Sequence, residues 1–320
     1  MKTFRYGLFA LVIIVGASCS NPFTTPADLI DGDGVRLETE LVMPVGGRDL
    51  KPAVVFVGGS GAAHFREYVP GFTEILIEEI FLPRDIAVFY YNKRGVGESS
   101  GSWKWGSIER RAEDTLTAVD HLRNEPGIDP NRIGLIGHSQ GGWVVQLAGS
   151  LDEDIEFVIS FSGPTVSVRE QDTHRVENSL RCEGVSGEEL EAKLAKLDRQ
   201  HERKISVGAW FPFFEMRFAA NIFQYDPWEA LRGLTQPTLL AFGGLDNMVP
   251  PEPNRDRMNE IFAATGVPSN FTWYTAANTD HMFRMADTIC FDYEASIGNP
   301  YSDEFVAYLE EWVNQLGLSN

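Results

Sequence analysis

The chain has 320 residues, of which 43% are hydrophobic, and it can therefore bury a sizeable core as a folded globular protein. Its 46 acidic and 27 basic residues give a formal net charge of −19. This charge repels phosphate backbones and anionic lipid surfaces, so we expect no nucleic-acid partner.

Residues 1–19 have the organisation of a signal peptide. Lys2 and Arg5 supply a short positive region, and the uncharged run 6–17 is too short for a transmembrane helix. The small residue directly before Cys19 resembles the lipobox of bacterial lipoproteins, which implies lipidation of Cys19 after cleavage. Ordinary secretion, with cleavage near the same place, is the alternative. Both routes predict an exported protein, either secreted or a cell-envelope lipoprotein whose only membrane contact is the N-terminal lipid anchor.

A polar tether and a hairpin are predicted next. Residues 20–28 contain two prolines and suit a short tether, so the folded domain is expected over 29–320. Within residues 29–37, Asp31 and Asp33 lie with glycines between apolar segments, which indicates a hairpin turn. A calcium loop is the other interpretation, but the closing glutamate that it needs is absent.

Short, nearly continuous apolar runs then alternate with segments of helical periodicity. The predicted strands are Ala53–Val57, Ile86–Tyr91, Arg132–Ile136, Phe157–Phe161, Thr238–Phe242 and Phe271–Thr275. The predicted helices are Phe72–Phe81, Ser107–Asn124, Gln140–Ser150, Arg255–Thr265 and Asp303–Leu316. This alternation predicts an α/β fold with a mostly parallel central sheet and helices on both faces.

Residues 164–231 interrupt the alternation and contain no obvious strand. A charged amphipathic helix is predicted over 186–204, and an aromatic-rich segment follows it, so we predict an inserted helical cap. The aromatic side chains could line an apolar acyl pocket or form the core of the cap itself. They are Trp210, Phe211, Phe213, Phe214, Phe218, Phe223 and Trp228.

The segment Gly137-His138-Ser139-Gln140-Gly141 matches the Gly-x-Ser-x-Gly nucleophile elbow. It lies between a predicted strand and a predicted helix, which is the context that this motif requires. The elbow forces its serine into a strained turn, and small flanking residues let the strand and helix pass close together. Ser139 is therefore the predicted nucleophile, and a merely structural strand-to-helix turn is the alternative.

A serine nucleophile needs a base and an acid that orients the base, in the chain order Ser, acid, His. Asp246 and His281 each follow one of the last two predicted strands, so both are expected at the edge of the sheet that carries the elbow. Asp280 is a weaker candidate for the acid, because adjacent side chains usually point apart. The other five histidines do not fit the expected order.

The oxyanion of the tetrahedral intermediate needs two amide donors. Gln140, directly after the nucleophile, is expected to supply one. The glycine-rich segment Val57–Gly61 is expected to supply the other, with Ser60 as the favoured residue and Gly59 or Gly61 as alternatives.

The chain resembles the bacterial α/β-hydrolase family of esterases and acyl hydrolases. The resemblance lies in residues Ala53–Gly61, the elbow, Asp246 and His281, and in the segment Tyr91-Asn92-Lys93-Arg94-Gly95-Val96-Gly97-Glu98-Ser99. The resemblance covers most of the chain from about residue 30 onward. It implies the α/β-hydrolase fold and hydrolysis through an acyl-enzyme. It also implies that the loop from Arg94 to Ser99 shapes the fold near the site without taking part in the chemistry.

We therefore expect a serine hydrolase that cleaves carboxylic esters of small molecules. A thioesterase or a serine peptidase with the same triad is the alternative, and a non-catalytic, ligand-binding surface lipoprotein is the alternative of another class. The sequence holds no metal-binding motif and no dinucleotide fingerprint, so no cofactor is expected. Cys182 and Cys290 either pair, which an exported protein permits, or remain two free thiols.

Overall fold

The structure is a computed structural model, and it describes residues 23–24, 29–31, 34–47, 49–210, 214–290 and 296–318. The predicted leader, with the lipidation site at Cys19, and most of the predicted tether lie outside the described residues and stay predictions. No helix in the described part of the chain has the length and apolar character needed to cross a membrane.

One sheet of nine strands organises the described residues. The strands are β1 Phe23–Thr24, β2 Leu29–Asp31, β3 Arg36–Met43, β4 Lys51–Val57, β5 Ala87–Tyr91, β6 Ile128–His138, β7 Val158–Phe161, β8 Thr238–Gly243 and β9 Phe271–Ala276. Their spatial order is β1-β3-β5-β4-β6-β7-β8-β9, and β2 forms the predicted hairpin with β3.

Strands β5, β4, β6, β7, β8 and β9 pair in parallel, whereas β3 pairs antiparallel with its neighbours. Parallel neighbours need long crossover connections, and the helices of the chain supply them. The carboxyl ends of β4, β6, β8 and β9 consequently meet at one edge of the sheet.

The main helices are α1 Glu79–Phe81, α2 Ile108–Arg123, α3 Gln140–Leu151, α4 Val168–Cys182, α5 Gly187–Trp210, α6 Phe214–Ile222, α7 Trp228–Gly233, α8 Pro251–Ile261 and α9 Asp303–Gln315. The segment Glu74–Glu78, which precedes α1, is π-helical. Helices α4 to α7 lie in sequence between β7 and β8, and we refer to them as the covering helices.

Strand β4 shows why the sheet is covered on both faces. All seven of its residues are buried. Val55 packs in one hydrophobic cluster with residues of α2 and α3, whereas Val54 and Phe56 pack in a second cluster with residues of α1 and α9. Successive side chains of a strand point to opposite faces, so each face of β4 contributes to a separate core. The predicted fold class, an α/β-hydrolase fold with a mostly parallel sheet, is confirmed.

Element boundaries differ from the predictions where local sequence is ambiguous. The strand predicted over Arg132–Ile136 extends over Ile128–His138. The helix predicted over Arg255–Thr265 begins at Pro251, because proline is well suited to the first turn of a helix. Helix α4 was not predicted individually. Its start carries a capping box in which Ser167 and Glu170 exchange hydrogen bonds.

A disulfide joins Cys182 and Cys290, with their Cα atoms 5.3 Å apart. Cys182 is the last residue of α4, and Cys290 lies in the segment that follows His281. Of the two alternatives for these cysteines, a disulfide or two free thiols, the structure has the disulfide. The bond links one covering helix to the segment after β9.

Candidate active site

Ser139 occupies the sharp turn between β6 and α3. Its φ of 55° and ψ of −122° lie outside the regions that an L-residue ordinarily adopts. Two hydrogen bonds hold the turn: the Ser139 amide donates to the Phe161 carbonyl, and the Gly142 amide donates to the Ser139 carbonyl, each at 2.8 Å. A Cβ atom at Gly141 would lie 2.2 Å from the Val57 carbonyl oxygen, so only glycine allows this close approach.

The structure brings Asp246 and His281 into direct contact. Asp246 follows β8 and His281 follows β9, and the Asp246 Oδ2 lies 2.7 Å from the His281 Nδ1. Both side chains are buried. The other carboxylate oxygen of Asp246 accepts hydrogen bonds from the amides of Met248 and Val249, each at 2.8 Å. The carboxylate is therefore fixed before it orients the imidazole.

This contact determines which nitrogen of His281 carries the proton. A carboxylate only accepts hydrogen bonds, so Nδ1 must donate, and Nε2 of the neutral imidazole is left as the basic nitrogen. The ring is also held through its own backbone: the His281 carbonyl accepts hydrogen bonds from the His138 Nε2 and the Ser162 hydroxyl, each at 3.1 Å.

Asp280, the weaker candidate for the acid, is used differently. Its Oδ1 accepts hydrogen bonds from the amides of Met282 and Arg284, at 2.8 and 2.9 Å. Burial raises the pKa of this carboxyl group. Asp280 thus closes a backbone turn next to His281, while Asp246 contacts the imidazole.

Ser60, Ser139 and Gln140 line one cavity at the carboxyl edge of the sheet. The Gly59 amide, one of the two alternative oxyanion donors, is already engaged: it donates to the Tyr68 hydroxyl at 2.6 Å. Lys93 donates to the carbonyls of Gly59 and Gly61, at 2.8 and 2.5 Å. The segment that carries Ser60 is therefore held by side chains from other parts of the chain.

His138 connects this segment to His281. The Tyr68 hydroxyl, which accepts from the Gly59 amide, lies 2.6 Å from the His138 Nδ1, and the His138 Nε2 contacts the His281 carbonyl. Burial, together with the nearby charge of His281, holds the pKa of His138 well below its usual range. A neutral His138 accepts at Nδ1 and donates at Nε2, which matches both contacts.

The cavity beside Ser139 has a volume of about 170 Å³. Its wall is mostly apolar, with a polar corner formed by Gln171, Asp172 and Arg175 of α4. Of the aromatic residues predicted for an acyl pocket, Phe223 lines it. The side chains of Trp210, Phe211, Phe213 and Phe214 lie outside the described residues. The apolar lining residues are Trp143, Pro164, Val168, Ile222, Phe223, Met248 and Val249.

Sequence reasoning missed several residues around the site. Trp143 lies in the first turn of α3 and lines the cavity beside Ser139, and its closeness in sequence to the elbow was a usable signal. Lys93 belongs to the segment that carried the family resemblance, but its contact with the Ser60 segment depends on the pairing of β4 with β5. Nothing in the sequence indicates that Gln171 and Arg175 reach the cavity, because their helix, α4, lies outside the motif segments and its docking is not encoded in the apolar pattern.

A strained serine at a strand-to-helix elbow and a buried Asp-His pair, both at the carboxyl edge of a mostly parallel sheet, are the features of an α/β serine hydrolase. The family model Hydrolase_4, described as serine aminopeptidase S33, matches residues 54–266. The chain belongs to this family and is a hydrolase.

Other known proteins and structures are also similar to this chain. The chain is 33% identical over 132 residues to the thiohydrolase aneE of Aspergillus aculeatus, a match that covers 40% of this chain and 38% of that protein. The structure of Est1E from Butyrivibrio proteoclasticus matches with a TM-score of 0.58 at 16% identity, over 91% of this chain and 99% of that one. XC6422 of Xanthomonas campestris, described as an a/b serine hydrolase without lid, matches with a TM-score of 0.51 at 16% identity, over 90% and 93%. At 16% identity, these two structures show a similarity of fold alone.

Proposed function

We propose that this hydrolase cleaves carboxylic esters through an acyl-enzyme. Ser139 Oγ attacks the ester carbonyl carbon while His281 Nε2 takes the hydroxyl proton, and Asp246 stabilises the imidazolium that forms. The amides of Ser60 and Gln140 stabilise the oxyanion. The intermediate collapses as His281 returns the proton to the departing alcohol. Water, activated by the same base, then releases the acid and restores Ser139.

The observation that carries this proposal is the mostly apolar cavity that Ser139 shares with Ser60 and Gln140. Such a wall suits the hydrocarbon part of an acyl group, because burying apolar surface is favourable at about 25 cal/mol per Å². A volume of about 170 Å³ fits a short to medium acyl chain.

The polar corner of the cavity favours an ester substrate over a peptide with a free N-terminal amino group. An aminopeptidase needs an anionic group to receive the free α-amino group of its substrate. Asp172 is the carboxylate among the described residues that line the cavity, and it is already paired with Arg175 at 2.6 Å and with His201 at 2.8 Å. Its charge is therefore compensated within the protein.

Thioester cleavage is the second candidate, favoured by the similarity to a protein named a thiohydrolase. The same nucleophile and oxyanion donors serve both reactions, since the two substrates differ only in the leaving group. A thiolate leaves without needing a proton, whereas an alkoxide needs the proton of His281.

The test compares turnover of the full chain on p-nitrophenyl esters of increasing acyl length, on the matching thioesters and on aminoacyl anilides. Ser139→Ala is the control. We expect Ser139-dependent turnover of the esters, with the highest kcat/KM at a short or medium chain length. Preferential turnover of the thioesters would select the second candidate, and preferential turnover of the anilides would contradict the proposal.

A fluorophosphonate probe tests whether the protein is an enzyme or a non-catalytic binding protein. We expect it to label the wild-type protein and not Ser139→Ala, because the probe reacts only with an activated serine. A folded wild-type protein that resists labelling would favour the non-catalytic binding lipoprotein.

We also propose that the protein works outside the cytoplasm. The pairing of Cys182 with Cys290 supports this, because such bonds persist in oxidising compartments. Alkylation of the two cysteines in protein isolated from the producing cell should require prior reduction. Free thiols in the isolated protein would contradict the proposal.

A further inference from the structure

The peptide unit between Gly58 and Gly59 is held at both of its ends. Arg111 donates to the Gly58 carbonyl at 2.5 Å, and the Gly59 amide donates to the Tyr68 hydroxyl at 2.6 Å. Arg111 also donates to the Gln140 side chain at 2.7 Å, which links this segment to the elbow. The backbone that leads to Ser60 is thus fixed by side chains from outside the segment.

The next peptide unit, between Gly59 and Ser60, is held at its carbonyl by Lys93 at 2.8 Å. A trans peptide is planar, and its carbonyl and amide point in opposite directions. Because Lys93 fixes the Gly59 carbonyl, it also fixes the direction of the Ser60 amide, which points away from Lys93. Ser60 lines the cavity that contains Ser139, so this direction determines how the amide meets an oxyanion there.

We propose that Lys93 is a positioning residue: by its hydrogen bond to the Gly59 carbonyl it orients the Ser60 amide toward the oxyanion. Tyr68 fixes the preceding peptide by accepting from the Gly59 amide. This inference rests on the proposed function, since it takes Ser60 as an oxyanion donor. Lys93 does not touch the substrate. It acts through the peptide unit between Gly59 and Ser60, whose Ser60 amide contacts the oxyanion.

The charge of Lys93 strengthens this arrangement. Hydrogen bonds from an ionised donor are stronger than neutral ones, and a donor on the carbonyl polarises the amide of the same peptide. Burial, with a smaller contribution from the positive charge of Arg111, lowers the pKa of Lys93 to about 7. Tyr68, Tyr91 and Arg111 are the titratable groups that line the small cavity around it. As the pH rises through about 7, the ammonium loses its proton, so kcat should decline there.

The test replaces the ammonium with an apolar group in Lys93→Met. Removing an oxyanion donor costs about 10² to 10³ in kcat, and a misdirected donor should cost at least about tenfold. We expect that loss with KM changed by less than about twofold, because the donor acts mainly in the transition state. Affinity for a trifluoromethyl ketone, which forms an oxyanion, should fall by the same factor, whereas affinity for the matching methyl ketone should not.

Lys51→Met is the matched control, because Lys51 is also buried but lies at the opposite end of β4 from Ser60. It should leave kcat and both ketone affinities unchanged. The decline of kcat through pH 7 should be present in the wild type and absent from Lys93→Met. Tyr68→Phe provides a second variant, and it should also weaken trifluoromethyl ketone binding selectively.

Equal loss of affinity for both ketones, or unchanged kcat in folded Lys93→Met, would overturn the proposal. If Lys93→Met does not fold, unchanged trifluoromethyl ketone binding by Tyr68→Phe would overturn it. Failure of the proposed function gives a different result, because the wild type itself would then turn over no ester.

Discussion

The backbone at Ser139 is strained, and the strain is held in place by its surroundings. A non-glycine residue with φ of 55° and ψ of −122° costs on the order of 1–3 kcal/mol. The hydrogen bonds of the turn offset this cost, and the turn places Ser139 at the end of β6, where it lines the cavity. Strain at this residue is therefore part of the proposed nucleophile.

The Asp246–His281 contact gives the first prediction. In Asp246→Asn the side-chain amide can donate to His281 Nδ1, so the proton moves to Nε2 and the base becomes unavailable. We expect kcat to fall by about 10⁴ while the fold persists, as measured by ester hydrolysis and circular dichroism.

Asp280→Asn is the matched control for that experiment. Asp280 is a buried carboxylate next to His281, but it accepts hydrogen bonds from the amides of Met282 and Arg284 and also interacts with the Ser296 side chain. An asparagine oxygen can accept the same hydrogen bonds, so kcat should stay within about threefold of the wild type. A larger loss in Asp280→Asn than in Asp246→Asn would show that the acid has been assigned to the wrong residue.

At the scale of elements, the site depends on how closely β4, β6 and α3 approach one another. At Gly141 the first turn of α3 touches the Val57 carbonyl of β4, and at Gly142 it touches the backbone of Gly163. Side chains at these positions would force α3 away from the sheet. These close approaches fix the position of Ser139 with respect to the segment that carries Ser60.

We therefore predict that Gly141→Ala is strongly destabilised. Its Cβ would lie 2.2 Å from a backbone oxygen that cannot move without shifting β4. We expect a loss of about 2–4 kcal/mol in the free energy of unfolding, measured by urea denaturation. Gly298→Ala, where a Cβ meets nothing within 4 Å, should change stability by less than about 0.5 kcal/mol. Similar stabilities for the two variants would contradict this account of the elbow.

Helix α4 is connected to the segments that carry Asp246 and His281. Gln171 donates to the Met248 carbonyl and Asn178 donates to the Asn247 carbonyl, so this helix contacts the residues directly after Asp246. At the end of the helix, Cys182 is bonded to Cys290 in the segment after His281. One covering helix thus contacts the loops of both the proposed acid and the proposed base.

Reduction of this disulfide should weaken the protein. The bond links residues 108 positions apart, and breaking it frees a long loop in the unfolded chain. We expect a loss of about 2–4 kcal/mol in the free energy of unfolding on adding reductant to the wild type. Reductant should have no effect on the double variant Cys182→Ser/Cys290→Ser. Identical urea midpoints for reduced and oxidised wild type would contradict the prediction.

At the scale of the whole molecule, the net charge of −19 acts on any charged substrate. An acidic protein repels anionic molecules over distances of about one Debye length, and salt screens this effect. Near the cavity, the pairing of Arg175 with Asp172 leaves no excess positive charge in that pair. The field of the molecule and its cavity wall therefore favour neutral acyl groups.

We predict that a neutral butyryl ester is hydrolysed faster than the hemisuccinyl ester of the same alcohol. At low ionic strength the difference in kcat/KM should be at least about tenfold, and it should shrink as salt is added. Preference for the hemisuccinyl ester at all salt concentrations would contradict this prediction. It would indicate that Arg175, which lines the cavity, receives the carboxylate of the substrate.

The sequence alone predicted the alternation of strands and helices and the fold class, because buried parallel strands read as continuous apolar runs. It also nominated Ser139, Asp246 and His281 by motif and chain order. It could not predict the exact boundaries of the helices. Apolar periodicity does not report where a helix begins, so it did not indicate the start of α8 at Pro251, where proline occupies the first turn.

Only the tertiary structure decided which groups surround these residues. The contact of Lys93 with Gly59 joins parts of the chain that are adjacent because β4 pairs with β5. The same holds for the cavity wall from the covering helices and for the bond between Cys182 and Cys290. Local sequence determines local conformation, but contacts between distant segments depend on strand order and helix docking, which the apolar pattern leaves undetermined.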